Sequence, residues 1–389
     1  MQKKYTIGID ARIFKTGIGR VVENLLLSLE GVIPQDINLV VFLRKDGFVS
    51  YHPHSPNITK VLADFAPYSF AEQFALPFLI RKYHVDLMHF TNFNAPILYF
   101  GPFVVTIYDL IHLSFSTFGN TTKNYPYYLF KKLMYRLVVW VLAQRAQYIT
   151  TISDVSKQEI IDRLHVSGDK VIVTSVGFDH VTKDEYVNIE ESQKILAKYG
   201  IKKPYLLYVA TMYPHKNHQN LLSALQEILS HGLDVSLVLV GKVDNLSKQV
   251  KDKVTRMGLK DHVVFPNYLV ENGYVLDDDL SVMYLQTEMV VFPSLMEGFG
   301  IPILEAQWYE KPVVASDLPI FHEVGCDGVL YVDPYDPSDI AKKITSVLRK
   351  DIDTKNLIEN GKENIKRFLW KDVATKTIDV YRSVLGNAS

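Results

Sequence analysis

Residues 293–306, PSLMEGFGIPILEA, place two carboxylates, two glycines and a proline in an order that chemistry can use. An apolar run, MVVF, ends at Pro293, and the turn Gly298-Phe299-Gly300-Ile301 leads into Pro302, a residue favoured in the first turn of a helix. A strand feeding a helix through such a turn presents backbone N–H groups and the positive end of a helix dipole at one point. Phosphate binds well there. Glu297 precedes the glycines and can face a sugar attached to that phosphate. Glu305 is expected in the first helical turn, where a carboxylate can accept hydrogen bonds from both hydroxyls of a ribose. The bland alternative is a glycine turn flanked by two solvated glutamates.

These residues need a scaffold that brings loop ends together. Apolar runs that read as strands alternate with helical periodicity along the whole chain. They are 5–10, 38–43, 87–90, 103–108, 148–152 and 171–173 in the first half, and 205–210, 235–240, 263–265, 289–292, 312–315 and 329–332 in the second. Continuous runs such as VSLVLVG predict parallel strands covered by helices on both faces. The expected fold class is α/β, with two Rossmann-like doubly wound domains facing a central cleft. Residues 1–180 form the first domain and 203–369 the second. Residues 370–389 read as an amphipathic helix. Ligands in such sheets bind beyond the carboxyl ends of the strands, so loops after strands should carry the chemistry.

A chain of 389 residues exceeds one typical core, and its 48% hydrophobic and 22% charged content is ordinary for a globular protein. The single cysteine, Cys326, excludes an internal disulfide framework and a cysteine zinc site, and points to a reducing compartment such as the cytoplasm. The opening residues carry no leader-like apolar run, and no stretch of 18 apolar residues occurs. Charge is uneven. Residues 1–180 hold 18 Lys and Arg against 14 Asp and Glu, net +4, whereas the remainder holds 24 against 29, net −5. From Leu110 to Ser153 there is no acid, but Lys123, Lys131, Lys132, Arg136 and Arg145 are present. Such a block fits an anionic partner, either a membrane surface or a phosphate-bearing acceptor. Segments 74–85 and 124–145 add aromatic and aliphatic residues to it, although packing against a sheet would use the same residues. Asp277, Asp278 and Asp279 precede an apolar periodic run and read as N-cap and first-turn carboxylates rather than metal ligands. No metal and no cofactor is expected, and no nucleic-acid partner.

The segment PSLMEGFGIPILEAQWYEKPVVASDLPIFHEVGCDGVLYVDPYDPSDIA resembles the C-terminal signature of family 4 glycosyltransferases of the GT-B fold, in particular the bacterial mannosyl- and rhamnosyltransferase-like branch. The resemblance extends to IDARIFKTGIGRVVENLL, TIYDLIH, TISDVSKQEI, VATMYPHKNHQNLL and FLWKDVATKTIDVYRSVL, and so covers nearly the whole chain. It implies a nucleoside-diphosphate sugar as donor (a GDP-sugar is preferred), held mainly by the second domain, with the acceptor held by the first. It also implies retention at the anomeric carbon, no obligatory metal, and a last helix that crosses back to the first domain. The acceptor would be a hydroxyl of a glycan or a lipid-linked molecule, in polysaccharide or glycolipid synthesis, with the enzyme cytoplasmic or peripheral on the inner membrane face.

The resemblance carries over Lys216 as the cation that neutralises the leaving diphosphate. Relatives often place an arginine where this chain has His215 or Thr211, so the clamp is less cationic here. Glu323 in FHEV corresponds to a glutamate near the ribose and diphosphate, or is a solvent-facing helix residue. Gly17 and Gly19 allow close backbone approach to a phosphate or sugar, and Arg20 can meet an anionic acceptor. The fragment GIGRVV lacks the third glycine of a dinucleotide fingerprint. The resemblance also carries over Asp109, which follows the strand 103–108, as a catalytic residue, and His112 lies three residues beyond it. Many relatives carry a histidine just before this aspartate, where Tyr108 stands. Ser153 and Ser156 read as a helix start. Two rivals share the fold, a nucleotide-sugar epimerase and a non-catalytic nucleotide-sugar-binding protein.

Overall fold

The computed structural model describes residues 4–14, 18–67, 69–111, 125–179 and 188–386, with backbone alone at 125–128, 130 and 131. The chain divides into two compact units, residues 1–180 together with 368–389, and residues 181–367.

In the first unit the strands are β1 (Tyr5–Asp10), β2 (Ile37–Leu43), β3 (Ile58–Leu62), β4 (Leu87–Phe90), β5 (Phe103–Thr106), β6 (Tyr148–Thr151) and β7 (Val171–Val173). They form one parallel sheet in the order β3-β2-β1-β4-β5-β6-β7. The order reverses between β1 and β4, which makes the crevice beyond those two strands the natural ligand position. β4 and β5 are buried at every residue, as continuous apolar strands covered on both faces should be. β3 lies at the edge, pairs only with β2 among the described residues, and buries Ile58 and Val61 while Thr59 and Leu62 are exposed. Lys60 in its middle donates to the carbonyls of Phe48 and Tyr51 at 2.8 and 2.9 Å, which satisfies its charge.

The helices that bear on function in this unit are α1 (Gly19–Val32), α2 (Phe70–Lys82), α3 (Tyr125–Arg145) and α4 (Asp154–Leu164). Ser153 caps α4 by accepting from the Ser156 amide at 2.9 Å. The chain's last helix, Trp370–Gly386, belongs to this unit and packs on α1. Its buried face includes Val373, Ile378, Tyr381, Val384 and Leu385, each contributing roughly 1.5–3 kcal/mol. Gly177 is obligatory beneath it, because a Cβ there would lie 2.4 Å from the Trp370 ring. The Trp370 amide donates to Asp179 Oδ1 at 2.7 Å. A buried polar chain completes the anchor. Tyr381 Oη lies 2.7 Å from His89 Nδ1, His89 Nε2 lies 2.8 Å from Thr106 Oγ1, and Thr106 continues to Thr150. Burial pushes the His89 pKa down to about 3, so the ring is neutral.

In the second unit β8 (Tyr205–Val209), β9 (Ser236–Val240), β10 (Val263–Val264), β11 (Met289–Phe292), β12 (Val313–Ser316) and β13 (Leu330–Val332) form a parallel sheet ordered β10-β9-β8-β11-β12-β13. The reversal now falls between β8 and β11. Helices α5 (His218–Ser230), α6 (Asp277–Gln286) and α7 (Ile301–Trp308) flank that point. Asp277, Asp278 and Asp279 occupy the first turn of α6, but its N-cap is Leu276 rather than an aspartate. Asp279 is taken by Lys198 at 2.7 Å and by the Tyr199 hydroxyl at 2.5 Å.

Candidate active site

The loops after β8 and β11 leave adjacent strands at the reversal of the second sheet. That adjacency joins two residues far apart in sequence. Lys216 Nζ donates to Glu297 Oε1 at 2.5 Å, with the two side chains 16% and 8% exposed. The ammonium also stands 5.7 Å over the Phe292 ring. Local geometry explains the placement. Residues Pro214–Lys216 form one 3-10 turn, ended by Asn217 in a left-handed conformation at φ 59°, which asparagine tolerates. The Asn217 amide donates to the carbonyls of Pro293 and Pro334 at 2.9 and 2.6 Å. The Tyr208 hydroxyl donates to the Lys216 carbonyl at 2.6 Å, and the Leu295 amide donates to the His215 carbonyl at 2.7 Å. The two loops are thereby stitched into one surface.

Gly300 caps α7 at φ 108°, a backbone conformation glycine alone adopts freely, and a Cβ there would meet Phe321 at 2.9 Å. No side chain caps this helix. The helix starts at Ile301, so Pro302 is its second residue and Glu305 falls in the second turn, not the first as the sequence led one to expect. One turn into the helix, Glu305 Oε2 accepts from the hydroxyl of Tyr284 on α6. Tyr284 stacks on Tyr309 at 5.3 Å and 12°, and the Tyr309 hydroxyl donates to Ser281 at 2.7 Å. Burial, and next the neighbouring Glu305 charge, hold the Tyr284 pKa well above its ordinary value, so the phenol remains a donor.

The other expected positions divide. Gly298, Phe299 and Gly300 are buried, Phe299 among the core residues at 6% exposed. Ile301 and Thr211 are exposed beside the turn and after β8. His215 stacks on Tyr213 at 5.7 Å and 12°. Glu323 is half-buried in the helix Pro319–Gly325, and its carbonyl accepts from Arg367 at 2.9 Å. In the first unit Gly19 is buried at the start of α1 with Arg20 exposed next to it. Asp109 Oδ1 accepts from the Ile111 amide at 3.0 Å. Gly17 and His112 lie outside the described residues. Among the described residues, no group of three or more His, Cys, Asp or Glu is placed to hold a metal ion.

Several groups at these strand ends escaped sequence reasoning. Asn217 and Tyr284 are the first two, and neither carries a signal beyond an asparagine in a turn and an aromatic in an apolar helix. Beneath the loop His218 is buried against Tyr208 at 5.1 Å, and burial, with Lys216 and His215 nearby, lowers its pKa to about 3. At the end of β1, Arg12 donates to Asp10 through Nε at 2.8 Å and Nη2 at 2.7 Å, and Nη2 lies 2.8 Å from Glu72. Burial opposes that charge, but Asp10 and Glu72 outweigh it and hold the guanidinium protonated. Glu159 on α4 has a raised pKa, chiefly from burial and also from Asp109, which brings two carboxylates to one strand end.

Comparison with known proteins places the chain in a family. Residues 15–181 match the model of the family described as Glycosyltransferase Family 4, and residues 189–364 match that of Glycosyl transferases group 1. The chain is 33% identical over 244 residues to O-antigen chain mannosyltransferase B of Escherichia coli, a stretch covering 61% of each chain. It is 26% identical over 280 residues to O-antigen chain mannosyltransferase RfbU of Salmonella typhimurium, covering 72% of this chain and 70% of the relative. The aligned stretch thus spans about three fifths of the first relative's length. Among solved structures, a glycosyltransferase from Rickettsia africae superposes with a TM-score of 0.72 at 17% identity, covering 99% of both chains. Anabaena HepE, solved in complex with UDP and glucose, superposes at 0.72 and 18% identity, covering 97% of this chain and all of that one. These two establish the fold. Together with the two family models, which account for nearly the whole sequence, they show that the chain belongs to the family 4 glycosyltransferases of the GT-B fold.

Proposed function

We propose that this chain transfers a hexosyl unit from a nucleoside-diphosphate sugar, with a GDP-sugar preferred, to a hydroxyl of a glycan or lipid-linked acceptor, with retention and without a metal. The observation that carries the reading is the Lys216–Glu297 pair lying beside a glycine-capped helix that bears Glu305. The relatives' names, which are those of mannosyltransferases, support the donor class.

In this reading the diphosphate lies against the Gly298–Gly300 turn and the start of α7, and Glu305 accepts from the ribose hydroxyls. The bond between the anomeric carbon and the phosphate oxygen breaks, and its electron pair stays on the diphosphate. Lys216 and the helix terminus stabilise that charge. The acceptor oxygen bonds to the anomeric carbon on the face the diphosphate leaves, and its proton passes to a phosphate oxygen. Glu297 stabilises positive charge on the sugar. Asp109, after β5 of the first unit, takes part in catalysis, and Gly19 and Arg20, at the start of α1, serve the acceptor or the diphosphate. The described residues contain no helix long and apolar enough to cross a membrane. In this reading the enzyme is cytoplasmic or peripheral on the inner membrane face.

The test is incubation with GDP-, UDP-, ADP- and dTDP-sugars and a panel of hydroxyl acceptors, followed by mass spectrometry and NMR of the product. A new glycosidic bond with the donor's anomeric configuration is expected. An inverted product would overturn retention. A sugar changed at C2 with no acceptor consumed would replace the proposal with an epimerase.

A further inference from the structure

Helix α2 shows its aromatic residues to solvent and buries its one acid. Phe70, Phe74 and Phe78 are 86%, 65% and 75% exposed. At a spacing of four residues they form one ladder along the helix. The opposite face buries Glu72, Leu76 and Ile80. Glu72, the helix's only acid, is fully buried and taken up by Arg12 at 2.8 Å, so it contributes no charge to the outer face. The exposed Arg81 and Lys82 close the helix.

The ladder continues into cationic and apolar surroundings. The Ile97 amide donates to Gln73 on α2 at 2.9 Å, and Arg145 at the end of α3 donates to the Ile97 carbonyl at 2.6 Å and stacks over Phe100 at 4.8 Å. The loop so held exposes Leu98 and Phe100. Beyond it α3 carries a second ladder, Leu129, Leu133, Leu137 and Trp140, all at least 46% exposed. A groove of about 570 Å³ beside that ladder is lined by Leu133, Leu137 and Trp140 together with Arg136, Arg163 and Asp162. Exposed aromatic and aliphatic ladders of this size are abnormal for a surface that meets only water.

We infer that the face formed by α2 and α3 docks on an anionic phospholipid bilayer, with Phe70, Phe74 and Phe78 inserted among the acyl-chain boundaries. The charge pattern selects this occupant over a second copy of the chain. Arg81, Lys82, Lys132 and Arg136 border the ladders, no acid occurs between Leu110 and Ser153, and at the groove Asp162 is the one acid lining it against Arg136 and Arg163, so the face keeps a net positive charge and two such faces would repel each other. Aromatic side chains settle at the headgroup boundary while the cations meet the phosphates. The inference goes beyond the glycosyl-transfer reading and does not depend on it, because no donor residue takes part. It would bring a lipid-linked acceptor to the enzyme.

The test uses the full chain, without donor, in flotation with vesicles of phosphatidylethanolamine and phosphatidylglycerol, and with vesicles of phosphatidylcholine alone. The wild type is expected on the anionic vesicles. The triple variant Phe70→Ser, Phe74→Ser, Phe78→Ser should lose binding by about tenfold or more, with a nearly unchanged thermal midpoint because the three rings are 65–86% exposed. Arg81→Gln with Lys82→Gln should weaken anionic binding a few-fold and leave the weak binding to neutral vesicles as it was. In a Phe74→Trp variant, added anionic vesicles should shift the emission to shorter wavelength. Binding of the triple variant equal to wild type, or no binding of the wild type, would overturn the inference. So would a wild-type dimer that the triple variant converts to a monomer while vesicle binding persists, which would assign the ladder to a second copy. Loss of GDP binding by the triple variant would show a misfolded protein rather than a lost surface, and Phe74→Trp emission then decides.

Discussion

Replacing Glu297 by Gln removes a charge while keeping the shape of the loop, and the structure determines what should follow. The carboxylate is 8% exposed and lies 2.5 Å from the Lys216 ammonium, which is 16% exposed. At an effective dielectric of about 20, a pair this close attracts by roughly 7 kcal/mol before desolvation, much of which burial of the two charges offsets. Lys216 is thereby engaged by Glu297, and a bound diphosphate must compete for its charge. Glu297→Gln should release Lys216, so affinity for GDP should hold or tighten by up to about tenfold. The same change removes the negative charge proposed to face the sugar as it becomes cationic. One such preorganised group is worth about 10²–10³ in kcat, or roughly 3–4 kcal/mol. The assay pairs steady-state kcat with calorimetric titration of GDP. A variant with intact kcat, or one whose GDP affinity falls as far as its kcat, would refute the assignment and leave Glu297 as a brace for the loop.

Three further outcomes are expected. Tyr284→Phe takes away the donor that fixes Glu305, and should raise the donor KM by about tenfold, the worth of one hydrogen bond to a charged group, with kcat little changed; a drop in kcat alone would contradict it. Turnover should persist in EDTA, and activity lost to the chelator and restored by Mg²⁺ or Mn²⁺ would disprove a metal-free site. Stability should fall on mild acidification, because His89 and His218 have folded pKa values lowered to about 3 from 6.5 and the unfolded chain takes up their protons first. That stability is complete above pH 6.5 and is lost as pH falls, by up to about 1.4 kcal/mol per pH unit for each ring. Thermal midpoints should drop between pH 6.5 and about 5, above the main carboxylate range; flat midpoints there would contradict it.

The long apolar strands were legible because parallel strands covered on both faces must be apolar throughout. β3 was not, since an edge strand needs only one buried face and ITKVL hides its Lys60 by bonding to backbone carbonyls. At the site, PSLMEGFG announced a phosphate-friendly turn by composition alone. The contact between Lys216 and Glu297 was invisible, because it arises from the adjacency of β8 and β11 and not from sequence spacing. A helix start one residue earlier than the proline moved Glu305 out of the first turn and against Tyr284, whose surroundings in LSVMYLQ read as an ordinary apolar helix. Segment 74–85 was ambiguous for a related reason. Apolar residues surround α2 on all sides, so periodicity could not say which face the sheet would take. The buried ion pair of Glu72 with Arg12 turned Leu76 and Ile80 inward and left the phenylalanines outside.

The central claim is that the crevice beyond β8 and β11 holds a nucleoside diphosphate. Titration of the full chain with GDP, followed by thermal midpoint, measures this directly for wild type and for Glu305→Gln. Binding to the folded state alone should add about 2.7 kcal/mol of stability at a hundred times Kd. The wild type should shift upward with GDP. Glu305→Gln, with its ribose contacts weakened, should need roughly ten- to a hundredfold more nucleotide for the same shift. A variant that responds to GDP as the wild type does, or a wild type that responds to none of GDP, UDP, ADP and dTDP, would contradict the site described.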